Sequence, residues 1–140
     1  MKLFLSLLLL GTLASADFPG VMAEPNLEKR SDLALLEADR AITVAKKSYE
    51  ERNVQDFKAR VGEAGELVDL SYKSLQDSGK RARRNPKYFK RAEHGIRALM
   101  RRLDTLAAEV ALEDRGFVIA AHKQLSEVHD DVVDDIMTKK

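Results

Sequence analysis

The sequence contains no cysteine, no tryptophan and three prolines among 140 residues. Without cysteine the chain can form no disulfide bond, carry no lipid on a cysteine and use no thiol as a nucleophile. An exported protein without disulfides is more typical of bacteria than of small eukaryotic secreted domains. The absence of cysteine therefore favours a bacterial origin if the chain is exported.

Long apolar runs are also absent, except at the beginning of the chain. Lys2 precedes an apolar run over residues 3–10, and Ala14-Ser15-Ala16 follows as a small-residue cleavage motif. This pattern predicts a signal peptide over residues 1–16, cleaved after Ala16, and a periplasmic or secreted protein. The run is too short to span a bilayer, so we expect at most contact with a membrane surface after cleavage.

Charge of one sign is not in excess over the whole chain. There are 24 Lys and Arg residues and 23 Asp and Glu residues, and removal of Lys2 leaves 23 of each. The charges are nevertheless unevenly distributed. Ten Lys or Arg residues and one acid lie in residues 80–102, whereas nine acids lie in residues 104–135. Overall neutrality does not predict a nucleic-acid partner, and export argues against one.

Apolar residues at steps of three and four indicate an all-α domain over residues 26–138. The pattern predicts helices at about 27–52, 54–78, 86–112 and 115–137. Residues 17–25 contain two prolines and a glycine without apolar periodicity, which predicts a flexible leader. Asn53 and Asn85 are expected to cap the second and third helices, with Pro86 in the first helical position.

The short connections predict that consecutive helices are antiparallel neighbours. The expected fold is an up-down-up-down four-helix bundle made of two stacked helical hairpins. Gly62 and Gly65 lie inside the second helix, where each costs about 1 kcal/mol relative to alanine. Either the helix tolerates both losses, or Gly65 allows a close helix crossing or a contact with a partner.

The first hairpin resembles a tetratricopeptide-type unit in its sequence pattern. The residues that carry the resemblance are Ala41, Ala45, Tyr49, Asn53, Asp56, Phe57, Lys58 and Ala59. Such units bind peptides and proteins, so the resemblance implies an interaction role without catalysis. Aromatic residues expected to contact a protein partner are Tyr49, Phe57, Tyr72 and Tyr88. The whole chain also resembles uncharacterised exported bacterial four-helix proteins, a likeness that implies no activity.

A basic segment lies between the second and third helices. Its charged residues are Lys80, Arg81, Arg83, Arg84, Lys87, Lys90 and Arg91. These residues are candidates for binding an anionic envelope surface. Alternatively, they pair with the acidic end of the fourth helix, which holds Glu127, Asp130, Asp131, Asp134 and Asp135.

No catalytic motif appears, so we predict that the chain is not an enzyme and needs no cofactor. His122, His129 and Asp130 are the best candidates for a metal site. The histidines are seven residues apart, however, whereas four is the favourable step for chelation on a helix. We therefore predict no metal site and expect histidines at the protein surface.

These observations predict an exported, non-enzymatic helical interaction or structural module of the bacterial cell envelope. Its partner would be a protein, a peptide or a second copy of the chain. Two alternatives remain open at this point. One is an adaptor that binds anionic envelope surfaces through residues 80–91, and the other is a metal-binding periplasmic bundle.

Overall fold

The computed structural model describes residues 18–138, and the regular secondary structure of this part of the chain is all helical, without β-strands. Four long helices pack against one another: α1 Leu27–Glu50, α2 Val54–Asp77, α3 Pro86–Glu109 and α4 Arg115–Met137. A one-turn helix at Pro19–Met22 precedes α1, and a 3₁₀ turn at Leu112–Asp114 precedes α4. The predicted all-α helical bundle is thus confirmed, whereas the predicted signal peptide lies outside the described residues.

The helix starts follow from local capping chemistry. The Asn26 side chain accepts a hydrogen bond from Lys29 N at 2.9 Å, and Asn53 accepts one from Asp56 N at 3.1 Å. Each bond satisfies an amide that would otherwise lack a partner at the first turn. Asn85 occupies the N-cap position of α3 and Pro86 is the first helical residue, as predicted, but the Asn85 side chain makes no capping hydrogen bond.

The helix ends reflect backbone conformation. Gly79 follows α2 with φ +76°, in the left-handed region that glycine adopts readily. Arg52 takes φ +64° in the tight turn between α1 and α2, although its side chain disfavours that region. α3 ends at Glu109 rather than near residue 112, because Val110 and Ala111 are already extended.

All four helices contribute apolar side chains to one core. Ile42, Phe57, Ile96 and Leu125 are at most 2% exposed. Fully burying a side chain of this size stabilises the fold by about 1.5–3 kcal/mol. On α1, Ser31 and Ala34 are buried, whereas Leu35 is only partly buried. The buried side of α1 consists largely of small residues.

Side-chain contacts join α1 to α2 and α3 to α4. The buried Ser31 and Ser71 hydroxyls lie 2.7 Å apart and join the start of α1 to the end of α2. Ser48 donates to Asp56 at 2.5 Å and joins the end of α1 to the start of α2. His129 and Glu93 join the second half of α4 to the first half of α3 at 2.6 Å.

Further contacts connect α1 to α3. Asp32 pairs with Arg91 at 2.8 Å, and Asp39 pairs with Arg102 at 2.7 Å. Lys46 and Glu109 lie 3.6 Å apart near the ends of the same two helices. Residue numbers rise on both helices from one pair to the next, so ion pairs connect α1 and α3 along most of their length.

Residues 18–25 differ from the flexible leader that the sequence predicts. Pro19–Met22 form a helical turn, and Val21 is only 2% exposed. The Arg30 guanidinium donates to the carbonyl oxygens of Glu24 and Met22, at 3.0 and 3.2 Å. One helical turn has no periodicity to detect, so the apolar pattern could not reveal this packed segment.

None of the helices within residues 18–138 combines the length and apolar content needed to span a bilayer.

Candidate functional site

The outward side of α3 carries a row of basic side chains. Steps of three and four residues place Lys87, Lys90, Arg91, His94, Arg97 and Arg101 on one side of the helix, and all six residues are exposed. The opposite side holds the buried residues Phe89, Ala92, Ile96, Leu99 and Leu103. We call the outward residues, together with Lys80, Arg81, Arg83 and Arg84 of the preceding loop, the basic face.

The basic face is longer than the sequence-based candidate segment, which ended at Arg91. His94, Arg97 and Arg101 extend it by about three helical turns. These residues could have been identified from the sequence, because their spacing from Lys87 and Lys90 matches the helical repeat. The interpretation of residues 80–91 as a linear run obscured this repeat.

Two members of the basic face pair with α1. Lys80 Nζ lies 3.8 Å from Glu28, and Arg91 Nη1 lies 2.8 Å from Asp32. The sequence predicted partners at the end of α4, and for these two residues that prediction is wrong. The reason is geometric: α1 runs beside α3 and presents acids at the matching height, and the charge pattern of the sequence does not show which helices are neighbours.

Much of the positive charge on this face remains uncompensated. Within residues 18–138, the side chains of Arg81, Arg84, Lys90 and Arg101 form no ion pair. Arg97 pairs with Glu93 at 2.8 Å, four residues earlier on the same helix. An exposed pair of this kind contributes only about 0–1 kcal/mol to stability. The face therefore presents cations that can engage an external anion at little energetic cost to the fold.

The acidic end of α4 approaches the loop part of the basic face. Asp135 lines the same cavity as Lys80, Arg81 and Arg83. Its carboxylate also accepts a hydrogen bond from the Tyr72 hydroxyl at 2.6 Å. The structure therefore brings one of the five predicted acids, Asp135, next to the basic segment.

The aromatic residues predicted to contact a partner have mainly structural surroundings. Phe57 is fully buried, so its predicted role at a protein interface is wrong. Tyr49 packs on Phe57 with ring centroids 4.8 Å apart, and its hydroxyl donates to Asp114 at 2.9 Å. Tyr72 is half-buried and bound to Asp135.

Tyr88 is the aromatic candidate that borders the basic face. It is half-buried, and the ammonium groups of Lys87 and Lys80 lie 5.2 and 5.9 Å from its ring centroid. These distances permit cation–π attraction, which holds both lysines near the ring. Tyr88 thus supports the arrangement of cations at the start of α3.

The histidines proposed for a metal site have separate carboxylate neighbours. His122 Nε2 lies 3.3 Å from Asp104, and His129 Nε2 lies 2.6 Å from Glu93. Asp130 is 4.0 Å from His129 Nδ1. Across residues 18–138, no group of three or more His, Cys, Asp or Glu side chains has an arrangement suited to a metal ion.

The Glu93–His129 contact is the most enclosed charged contact between α3 and α4, with both side chains at most 20% exposed. Burial by itself would raise the pKa of Glu93. Hydrogen bonds from His129 and Arg97 oppose this effect and hold the pKa below its ordinary value of 4.5. Glu93 thus connects Arg97 of the basic face to His129 of α4.

Comparisons with protein-family models, with curated proteins and with solved structures find no match to this chain.

Proposed function

We propose that this chain is an exported, non-enzymatic helical interaction module of the bacterial cell envelope, and that its basic face binds an anionic envelope surface. Cleavage after Ala16 would place the protein in the periplasm or outside the cell. The charged start, apolar run and small-residue motif of residues 1–16 support export. The proposed topology is an up-down-up-down bundle, which the cross-helix contacts of Ser31, Ser48 and His129 support.

The basic face is the single observation that carries this proposal. From Lys87 to Arg101 it extends 14 residues along α3, or about 21 Å at 1.5 Å per residue. Its cations lie along one exposed side of a helix in a chain whose total charge is close to zero. A neutral protein with cations concentrated in one place is suited to oriented contact with an extended anion.

The expected strength follows from the number of available cations. Each Lys or Arg near an anionic membrane surface contributes about 1 kcal/mol. Arg81, Arg84, Lys87, Lys90 and Arg101 together would supply about 5 kcal/mol, which corresponds to a dissociation constant in the range of roughly 0.1–1 mM. Binding of this strength requires a polyvalent surface rather than a single small anion.

The test measures retention on vesicles that contain about one third anionic phospholipid, over a series of salt concentrations. The unchanged protein should bind at low salt and dissociate at high salt, because screening weakens contacts between exposed charges. A Lys90→Glu, Arg101→Glu double variant should lose about tenfold or more in affinity, because it reverses two unpaired cations.

A matched control reverses two lysines elsewhere, in a Lys47→Glu, Lys123→Glu variant. Both lysines are exposed, on α1 and α4, and the change in net charge is the same. The control should bind vesicles much more strongly than the basic-face variant. Equal losses in the two variants, with unchanged helicity in circular dichroism, would show that net charge rather than the basic face governs retention, and would refute the proposal.

A further inference from the structure

A cavity of about 360 Å³ lies at the loop end of the basic face. Four parts of the chain meet around it: the end of α2, the loop after it, the start of α3 and the end of α4. Its lining includes the charged side chains of Lys80, Arg81, Arg83 and Asp135 and the apolar side chains of Ala82 and Phe89. Ala82 and Phe89 are at most 4% exposed and provide an apolar floor. The volume lies in the range of small-molecule sites.

The polar lining combines two kinds of group. Lys80, Arg81 and Arg83 supply cations, which suit a phosphate oxygen, and a guanidinium can bind it through two parallel hydrogen bonds. Asp135 supplies a carboxylate in the same cavity. A carboxylate repels phosphate but accepts hydrogen bonds from hydroxyl groups. A phosphate alone would therefore leave the Asp135 carboxylate next to a group that repels it.

Asp135 is fixed in place before any ligand binds. Its Oδ2 accepts a hydrogen bond from the Tyr72 hydroxyl at 2.6 Å, and Tyr72 is half-buried against the core. A carboxylate has about four acceptor positions, so it can accept a second donor in addition to Tyr72. A group positioned in this way lowers the entropic penalty of binding a hydroxyl-bearing ligand.

We propose that this cavity binds a phosphate ester that carries free hydroxyl groups, of the glycerol phosphate type. The cations bind the phosphate and Asp135 accepts from a hydroxyl. The inference rests on the proposed function, since the ligand would be the repeating or head group of the anionic surface that the basic face contacts. Such a group occurs both in phosphatidylglycerol and in glycerol phosphate polymers.

The first experiment titrates the purified protein with glycerol 3-phosphate and with inorganic phosphate, followed by NMR or calorimetry. Glycerol 3-phosphate should bind more tightly, by about threefold to tenfold, since one hydrogen bond contributes about 0.5–1.5 kcal/mol. Arg81→Gln should weaken this binding severalfold. Arg84→Gln is the matched control, because Arg84 belongs to the same exposed loop but does not line the cavity.

A second variant tests the role of the carboxylate. Asp135→Asn should strengthen the binding of inorganic phosphate, because it removes the repulsion, and should reduce the preference for glycerol 3-phosphate. Equal binding of the two ligands by the unchanged protein, or no binding of either, would overturn the inference. Thermal unfolding of each variant checks that loss of the hydrogen bond from Tyr72 has not disrupted the fold.

Vesicles distinguish the source of the ligand and separate the two proposals. Stronger retention on phosphatidylglycerol than on phosphatidylserine at equal charge would identify the lipid head group as the ligand. Equal retention, with glycerol 3-phosphate still bound in solution, would identify the polymer. Lys90→Glu with Arg101→Glu should reduce vesicle retention but leave glycerol 3-phosphate affinity unchanged. Retention on vesicles without any glycerol 3-phosphate binding would refute the cavity site alone and leave the proposed function intact.

Discussion

At the scale of single residues, the two glycines inside α2 have different surroundings. Gly62 is exposed, and a Cβ atom built there would meet nothing within 4 Å. Gly65 is buried, and a Cβ atom there would lie 2.2 Å from Gln124 Oε1 and 2.8 Å from its Cδ. Gly65 thus allows the close approach that the sequence left as one of two interpretations, whereas Gly62 is a tolerated loss of helix propensity.

This difference predicts opposite outcomes for the same substitution. Gly62→Ala should raise the free energy of unfolding by about 0.5–1 kcal/mol, because alanine favours the helix. Gly65→Ala should yield no gain, since it displaces Gln124 and breaks the 2.7 Å hydrogen bond from Gln124 Nε2 to Asp69. Urea unfolding measures both values. Equal stabilisation by the two substitutions would contradict the close approach of Gln124 to Gly65. In a Gln124→Ala variant, Gly65→Ala should stabilise the protein as Gly62→Ala does.

Sequence reasoning located both glycines but could not distinguish them. Helical periodicity places a residue on a face of its own helix, but it does not show which atoms of another helix lie opposite that residue. The atom that crowds Gly65 belongs to α4, almost 60 residues later. The same limitation applies to Lys80 and Arg91, whose partners on α1 depend on which helices are neighbours.

At the scale of the helices, side-chain capping differs between two helix starts that look alike in sequence. Asn53 precedes α2 and accepts a hydrogen bond from Asp56 N at 3.1 Å. Asn85 precedes α3 but makes no capping bond, and Pro86 removes one amide from the first turn. The asparagines are therefore equivalent in type and position but differ in their contribution to helix stability.

Alanine substitutions at the two joints should show this difference. Asn53→Ala should lower the free energy of unfolding by about 1 kcal/mol, the usual effect of losing a side-chain cap. Asn85→Ala should lower it by much less. Thermal and urea unfolding of the two variants provide the comparison. A larger effect at Asn85 would indicate that its side chain caps α3 in solution.

Helix positions were largely predictable because each long helix contains many repeats of one apolar pattern. The starts at Leu27, Val54, Pro86 and Arg115 coincide with caps, prolines or acidic joints that have local causes. The turn at Pro19–Met22 was not predictable, because it depends on burial of Val21 and on Arg30, eight residues after Met22. Local patterns thus specify helices, whereas short segments depend on tertiary contacts.

At the scale of the whole molecule, α3 carries both exposed cations and charged side chains that pair with the neighbouring helices. Lys90 and Arg101 face outward, whereas Glu93 turns toward His129 of α4. From the sequence, the basic segment could bind an anionic partner or pair internally. The structure pairs Lys80 and Arg91 internally, and it leaves other cations exposed because one helix presents different faces to solvent, to α1 and to α4.

Two carboxyl groups with shifted pKa values, the partly buried Glu93 and the exposed Glu66, affect how stability depends on pH. Hydrogen bonds from His129 and Arg97 outweigh burial and lower the pKa of Glu93 below 4.5. The pKa of Glu66 is raised instead, by burial and then by repulsion from Glu63 and Asp69. A lowered pKa stabilises the folded protein above the unfolded-state value, and this contribution is lost as the pH falls through the folded value. A raised pKa in a carboxyl group has the opposite effect.

Two glutamine variants should therefore change stability in opposite directions. At pH 7, Glu93→Gln should lower the free energy of unfolding, and the deficit should shrink as the pH falls below about 4.5. Glu66→Gln should raise the free energy of unfolding at pH 7. As the pH falls, this gain should decline before pH 4.5 is reached, because Glu66 takes up a proton at a higher pH in the folded protein than in the unfolded protein. Urea unfolding from pH 3 to pH 7 measures both profiles. Parallel profiles for the two variants would show that Glu93 is not held in its ionised form by α4, and that the α3–α4 contact does not persist in solution.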